Sequence, residues 1–97
     1  MNIESTPDFL KAMAKLDSAE RVLVLKRIRG LGQEESFLGK RLGGQLRFCF
    51  SIRTGFNHRL RVIVLDRDKQ RLLVTVGPRE DLAVYTQAIR IISELER

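Results

Sequence analysis

Arg79 and Tyr85 are the residues of this sequence whose types and spacing offer the clearest chemistry. Arg79 follows the apolar run 74–78, a strand that must end at its proline because proline cannot donate to a sheet ladder. An arginine at that rim carries a permanent charge and a fork of donors that suits phosphate oxygens. Tyr85 follows six residues later and offers a ring for base stacking and a hydroxyl for proton transfer. In the alternative interpretation, Arg79 pairs with a carboxylate at the start of the next helix and Tyr85 fills the core.

The charge of the chain is concentrated in its middle. Residues 40–79 carry ten basic and two acidic side chains, whereas residues 1–39 are balanced and residues 80–97 are acidic. A net charge of +6 distributed in this way favours a polyanionic partner such as nucleic acid. The alternative is a solvated basic surface that binds nothing.

Length and composition predict a single domain over residues 1–97, because 97 residues leave no room for two cores. The apolar fraction of 43% argues against disorder. The single cysteine, Cys49, excludes an intramolecular disulfide, and no Cys/His cluster has metal-ligand spacing, so we expect neither metal nor cofactor. The N-terminus has no apolar segment long enough for a signal peptide or a membrane span, which predicts a cytoplasmic protein without a membrane partner.

Helix signals mark both ends of the chain. Residues 6–8 combine a hydroxyl cap, a proline at the first helical position and an acid in the first turn. Residues 17–20 have the spacing of a capping box, which predicts the start of a second helix. Because only a very short connection separates the two helices, they should form an antiparallel hairpin. Residues 2–5 before them are a candidate edge strand. A third helix is expected after Glu80, where apolar residues recur every three or four positions. These are Leu82, Tyr85, Ala88, Ile89, Ile92 and Leu95.

Strands are predicted after a polar connection over residues 33–44. Segments 46–52 and 59–65 alternate apolar and polar side chains, and segment 72–76 is continuously apolar, which predicts an antiparallel meander. The helical hairpin should pack on the face formed by Leu46, Phe48, Phe50, Leu60, Val62 and Val64. The opposite face should carry Arg47, Cys49, Ser51, Arg59 and Arg61. The predicted fold is therefore α+β: an N-terminal helical hairpin packed on a twisted antiparallel sheet, with a C-terminal helix.

This order of elements resembles the RelE/ParE superfamily of toxins from bacterial toxin–antitoxin modules. The residues that carry the resemblance are Lys40-Arg41-Leu42-Gly43-Gly44, Arg61-Val62-Ile63-Val64, and Val76-Gly77-Pro78-Arg79 with Tyr85. The RelE-like branch looks closest, and its members cleave messenger RNA in the ribosomal A site. The resemblance implies a type II toxin that inhibits translation as a ribosome-dependent mRNA endoribonuclease. It also implies neutralisation by a cognate antitoxin, in a toxin–antitoxin hetero-oligomer.

The resemblance implies roles for individual residues. Arg79 matches the family arginine that steadies the phosphate in the transition state. Tyr85 matches the family tyrosine that stacks on or positions the substrate nucleotide. Arg61 matches the family arginine on the middle strand, with Arg59 as an alternative register.

RNA cleavage without a metal needs a base for the attacking 2′-hydroxyl, an acid for the leaving oxygen and positive charge on the phosphate. Arg61 and Arg79 would supply charge. His58, the only histidine of the sequence, is a candidate proton carrier, although a histidine in a turn is often simply solvated. Further RNA contacts are expected from Lys40, Arg41, Arg47, Arg53 and Arg59.

Two positions depart from the family pattern. The RelE-like branch uses two lysines one residue apart on the strand before Arg61, and these positions hold Cys49 and Ser51, which supply no positive charge. The departure favours an alternative function on the same fold. The chain would then be a ParE-like toxin directed at DNA gyrase, or a basic RNA- or protein-binding module without nuclease activity.

Overall fold

A computed structural model describes residues 2–32, 39–80 and 82–96 of the chain. The predicted connection over residues 33–44 thus lies partly outside the described residues. Within them, the elements are β1 (Asn2–Ser5), α1 (Pro7–Ala14), α2 (Ser18–Arg29), β2 (Lys40–Arg41), β3 (Cys49–Thr54), β4 (Leu60–Arg67), β5 (Gln70–Pro78) and α3 (Ala83–Leu95). Short 3-10 segments lie at Gly30–Gly32, Gly44–Leu46 and Phe56–His58. In this part of the chain, no helix is both long and apolar enough to cross a membrane.

The strands form one sheet in the order β1-β5-β4-β3-β2. β3, β4 and β5 make the predicted antiparallel meander, and β2 pairs antiparallel with β3. The predicted edge strand at residues 2–5 is present, but it pairs with β5 in parallel, which makes the sheet mixed. A parallel pair needs a long crossover, and here the chain between β1 and β5 supplies it. The predicted α+β class with a C-terminal helix is confirmed.

Turn chemistry fixes the register of the meander. Asp68 and Lys69 both adopt positive φ, at 55° and 62°, in the two-residue turn between β4 and β5. Such turns match the twist of the flanking strands. Between β3 and β4, Gly55 has φ +85°, and a Cβ there would lie 2.9 Å from Leu60 side-chain atoms. Glycine tolerates this backbone conformation without steric cost.

The face of the sheet under α1 and α2 is apolar. Its buried cluster contains Phe9, Met13, Val24, Leu31, Ile52, Leu60, Val62, Val64, Leu73 and Val76. Thr6 fastens α1 to this sheet, because its Oγ1 accepts from Phe9 N at 2.9 Å and donates to Val74 O at 2.6 Å. Val74 falls where the β4–β5 register shifts, between the pairs Val64–Leu73 and Ile63–Thr75. The strand irregularity therefore exposes a carbonyl that the helix cap uses.

The opposite face is covered by α3. Its buried cluster contains Leu46, Cys49, Ile63, Val74, Val84, Ala88, Ile91 and Ile92. The predicted apolar stripe of this helix is partly wrong, because Leu82 and Leu95 are 60% and 53% exposed while Val84 and Ile91 are buried. Leu82 adopts φ 60° ahead of the helix, which begins at Ala83, so the first buried residue of α3 is Val84, two positions after Leu82.

The predicted strand at residues 46–52 begins instead at Cys49. Gly44–Leu46 forms a 3-10 turn, because Leu46 N and Arg47 N bond back to the carbonyls of Gly43 and Gly44. The prediction that Leu46 and Phe48 pack against the helical hairpin is consequently wrong. Leu46 turns towards α3, and Phe48 remains 38% exposed beneath the guanidinium of Arg47, 4.8 Å from its ring centroid.

Candidate functional site

The end of the sheet covered by the first turns of α3 is polar. Ser51 Oγ on β3 and Tyr85 OH on α3 lie 3.1 Å apart, and either can donate. Ser51 is buried and Tyr85 is half-buried. Since a buried hydroxyl is costly without a hydrogen bond, this contact holds the phenol against the sheet. Tyr85 is a candidate from the sequence alone, whereas Ser51 is distinguished there only by its lack of charge.

Arg61 is buried on β4 and is held by backbone carbonyls. Its Nη1 donates to Leu60 O at 3.1 Å and to His58 O. In the sheet register Arg61 lies opposite Arg53 on one side and opposite Gly77 on the other. Arg53 follows Ser51 by two residues, so both side chains leave β3 on the same face. The structure therefore brings the positive charges of Arg53 and Arg61 to the polar end of the α3 face.

Arg79 lies at the rim of the sheet, as the sequence predicted. Its backbone N donates to Arg59 O at 2.9 Å, which extends the β4–β5 ladder one residue beyond Pro78. Its carbonyl accepts from Leu82 N at 3.1 Å in the turn that leads to α3. The side chain of Arg79 is exposed. Its backbone position is thus fixed while its guanidinium faces solvent.

A basic groove opens at the β2–β3 edge of the sheet. It has a volume of about 390 Å³ and is lined by Arg27, Gly39, Lys40, Ser51, Arg53 and His58. Among the described residues its walls carry three cations and an imidazole but no carboxylate. Lys40, Arg53 and His58 were expected from the sequence, whereas Arg27 was missed. No local signal marks Arg27, because only the tertiary fold brings α2 to this edge.

Three of the predicted RNA-binding arginines lie elsewhere. Arg59 was expected beside Arg61, but its Nε lies 3.8 Å from Glu20 Oε2 on α2. Arg59 has helical backbone angles before β4 begins, which breaks the alternation on which the prediction depended. Arg41 Nε donates to Arg47 O at 3.4 Å, and both residues lie near the start of β3, away from the polar end.

Cys49 is a neutral thiol in this environment. It is fully buried under α3, and burial, with a smaller contribution from the charge of Glu96, raises the pKa of its thiol to about 11. Because the thiolate is the reactive form, Cys49 is a poor nucleophile at neutral pH. In residues 2–32, 39–80 and 82–96, no three His, Cys, Asp or Glu side chains are grouped as metal ligands.

Solved structures with this arrangement of strands and helices identify the fold. A double arginine-to-alanine mutant of the E. coli toxin RelE in the free state has a TM-score of 0.70 at 22% identity, covering 94% of this chain and 96% of that one. This chain has the RelE toxin fold. The isolated E. coli RelE toxin matches with a TM-score of 0.65 at 22% identity, covering 94% of this chain and 97% of that one.

A toxin–antitoxin complex shares the RelE fold as well. The RelBE2 complex from Mycobacterium tuberculosis matches with a TM-score of 0.67 at 24% identity, over 82% of this chain and 92% of that one. No protein-family model matches the sequence, and no curated protein matches it. The RelE-like fold predicted from three short motifs is thus confirmed by shape, at identities that show the fold alone.

Proposed function

We propose that this protein is the toxin of a type II toxin–antitoxin pair and that it inhibits translation by cleaving mRNA on the ribosome. The observation that supports this most strongly is the contact of Tyr85 with Ser51, whose partner across the β3–β4 ladder, Ile63, lies two residues from Arg61, on a RelE fold. Tyr85, Arg61 and Arg79 are the residues that the resemblance assigns to the reaction. The fold brings two of them to one end of the α3 face and sets the third at the adjoining rim.

The chemistry would be attack of a ribose 2′-oxygen on the adjacent phosphorus. A new P–O bond forms, the bond to the 5′-oxygen breaks, and the products are a 2′,3′-cyclic phosphate and a 5′-hydroxyl. The 2′-hydroxyl gives up a proton and the leaving oxygen gains one. Arg61 would offer charge from a fixed position, whereas the exposed guanidinium of Arg79 can follow the phosphate as its charge develops.

Proton transfer would fall to Tyr85 or His58. Tyr85 has its hydroxyl at the polar end of the α3 face, and Ser51 can exchange a hydrogen bond with it. The His58 backbone carbonyl accepts from Arg61, and its exposed side chain lines the basic groove. The two candidates make different predictions, because only a His58 role would be lost in a His58→Gln variant with Tyr85 intact.

An antitoxin would have to cover this surface. The positive charge of residues 40–79 favours an acidic or amphipathic partner segment that folds on binding. The M. tuberculosis structure with the same fold is a toxin–antitoxin complex. Expression together with the neighbouring reading frame should yield a stable hetero-oligomer, whereas recovery of abundant harmless free protein would contradict a toxin role.

The experiment that tests the proposal is pulse labelling after induction in the absence of the partner. Incorporation of labelled amino acids should fall within minutes, before incorporation of thymidine falls. The growth of cells that express Arg79→Ala should continue. Translation that stays normal while growth stops would contradict the proposal.

The second candidate function is a toxin fold without nuclease activity, or one directed at gyrase. The observation that favours it is the chemistry of β3, where Cys49 is a buried neutral thiol and Ser51 is uncharged. These positions correspond to the two lysines of RelE-like enzymes. Early loss of DNA synthesis, with gyrase-linked breaks, would identify the gyrase-directed form. Ribosome binding without mRNA cleavage would identify the binding module.

A further inference from the structure

We infer that the groove between the helical hairpin and the end of β5 binds an alkylguanidinium, the group that ends an arginine side chain, with its charged head on Glu20. This hairpin groove has a volume of about 710 Å³, which falls within the range of roughly 300–1,000 Å³ that is usual for ligand sites. The inference goes beyond the proposed function and does not depend on it. The residues that the cleavage reaction would use, His58, Arg61, Arg79 and Tyr85, are not among the described walls of the hairpin groove.

Glu20 is a buried carboxylate with an unsatisfied oxygen. It is the third residue of α2, it lines the hairpin groove, and it is 6% exposed. Among the described residues, none donates a hydrogen bond to its Oε2. A buried charged acceptor without a hydrogen bond costs free energy, so a donor that reaches this oxygen is bound favourably. Oε2 of Glu20 is therefore the feature of the groove that selects a ligand.

The other two carboxylates along the described walls of the hairpin groove already have partners. Asp17 caps α2, where its Oδ1 accepts from Glu20 N at 2.8 Å. Asp8 Oδ1 lies 3.4 Å from Arg90 Nη2 on α3. The groove thus offers a defined buried acceptor rather than a diffuse acidic surface.

Arg59 shows which chemistry Glu20 accepts. Its Nε lies 3.8 Å from Glu20 Oε2, which is within the range of an ion pair but too long for a hydrogen bond. The backbone of Arg59 is held by hydrogen bonds from its N to Phe56 O and from Arg79 N to its O, whereas its side chain is half exposed and can turn into solvent. A guanidinium that is not attached to this backbone can take its place and approach Oε2 to roughly 2.7–2.9 Å.

The apolar walls of the hairpin groove favour a cation with an aliphatic stem. Ala12, Leu16 and Val76 line the groove. The methylene stems of arginine and lysine are buried along such surfaces while the charged head stays with polar partners. A guanidinium is more weakly hydrated than an ammonium, so bringing it to a buried carboxylate costs less. The ligand is therefore an alkylguanidinium, either a free small molecule or an arginine side chain of a polypeptide.

The test measures binding of n-butylguanidinium to the purified protein by isothermal titration calorimetry. n-Butylurea has a similar shape without the charge, and n-butylammonium has the charge without the planar fork of donors. Glu20→Gln removes the carboxylate, and Glu4→Gln, which is exposed and does not line the hairpin groove, is the matched control. Arg59→Gln removes the competing guanidinium. Thermal unfolding of each variant establishes that it is folded.

The wild type and Glu4→Gln should bind n-butylguanidinium equally, and more tightly than the other two compounds. Glu20→Gln should weaken binding by about tenfold or more, the scale of a hydrogen bond to a charged group. Arg59→Gln should tighten binding, because the competing group is gone. A wild type that does not bind n-butylguanidinium, or that binds n-butylurea as tightly, would overturn the inference. So would a folded Glu20→Gln variant that binds like the wild type.

Nuclear magnetic resonance of the wild-type protein gives a second test that needs no variant. n-Butylguanidinium should shift the backbone amide signals of Ala12, Glu20 and Gly77, which line the hairpin groove. Shifts confined to residues elsewhere would overturn the inference, even if Glu20→Gln fails to fold.

A capped tripeptide with a central arginine distinguishes the two sources of the guanidinium. Tighter binding of the peptide than of n-butylguanidinium would uphold the site and identify a polypeptide partner, whereas equal or weaker binding would uphold it as a site for a free small molecule. These measurements use neither RNA nor ribosomes. A protein that binds the guanidinium but never cleaves mRNA would therefore refute the nuclease and leave the site standing.

Discussion

The two faces of the sheet are built differently. The face under α1 and α2 is filled with aliphatic side chains and two large ones from α1, Phe9 and Met13. The face under α3 is apolar near Cys49 and Ile92 but polar at its other end, where Ser51 and Arg61 are buried. Burial of such groups costs free energy unless each finds a partner. Here Ser51 Oγ is paired with Tyr85 OH and Arg61 with backbone carbonyls, so this end of the α3 face has polar groups where the opposite face has its aliphatic cluster.

Two buried arginines of the sheet, Arg61 and Arg71, have different partners. Arg71 on β5 is 3% exposed, its Nη1 donates to Leu31 O, and its Nε lies 3.6 Å from Asp66 Oδ1. It closes the end of the apolar cluster and pairs with a carboxylate. Arg61 is almost as deeply buried, but its Nη1 donates to the backbone carbonyls of His58 and Leu60. A guanidinium held by neutral acceptors retains its full charge for an incoming anion, which fits a functional role for Arg61 and a structural one for Arg71.

The largest effect on stability should come from the apolar face. Ile52→Ala removes a side chain that is 1% exposed in the cluster under α1 and α2. Deletion of a buried isoleucine costs about 2–5 kcal/mol of the free energy of unfolding, which urea denaturation measures. Leu25→Ala is the control, because Leu25 is 47% exposed and its loss should leave the urea midpoint almost unchanged. Equal losses in the two variants would mean that this face is not the main core.

The next largest effect should be a loss of activity without a loss of stability. Arg79→Ala removes an exposed guanidinium, so the melting temperature should hardly change. Loss of one donor to a developing oxyanion costs about 3–4 kcal/mol of barrier, so the cleavage rate should fall on the order of a hundred- to a thousand-fold. Arg29→Ala should retain activity. If Arg79→Ala instead lowers the melting temperature in proportion to its loss of toxicity, Arg79 has a structural role.

The sequence predicts β4 and the meander well, because Leu60, Val62 and Val64 alternate regularly and tight turns flank the strands. It fails at the start of β3, where a 3-10 turn places Leu46 on the other face. Alternation carries no information about such a break in the backbone.

The residues of the candidate site could likewise be predicted only in part from the sequence. Arg79 and Tyr85 could be found from their spacing to the end of β5. Arg59 was misplaced, because helical backbone angles before β4 send its side chain to Glu20. Arg27 and the Ser51–Tyr85 contact could not be found, since they join elements that are distant in sequence.

A smaller, pH-dependent effect should arise from Cys49. The pKa of its thiol is raised from 9.0 to about 11 in the folded protein. The folded state therefore retains a proton that the unfolded state loses, so this contribution is complete below about pH 9 and declines as the pH rises towards 11. The decline should be on the order of 2 kcal/mol. Urea denaturation near pH 8 and pH 10.5 should show a larger loss for the wild type than for Cys49→Ala, and parallel losses would refute the assignment.

The smallest effect should come from the hydroxyl pair on the α3 face. Ser51→Ala and Tyr85→Phe each remove one partner of the 3.1 Å contact, at about 0.5–1.5 kcal/mol of the free energy of unfolding. The double variant should be little less stable than either single variant, since the same bond is lost. Additive losses in thermal unfolding would show that the two hydroxyls do not depend on each other.

Primer extension on mRNA held in programmed ribosomes shows whether the protein cleaves mRNA in the ribosomal A site. With the wild-type protein, we expect breaks within the codon in the ribosomal A site. They should be absent without ribosomes, and reduced on the order of a hundredfold or more with Arg79→Ala. Intact mRNA after incubation of a folded, growth-arresting wild-type protein with these ribosomes would contradict the account.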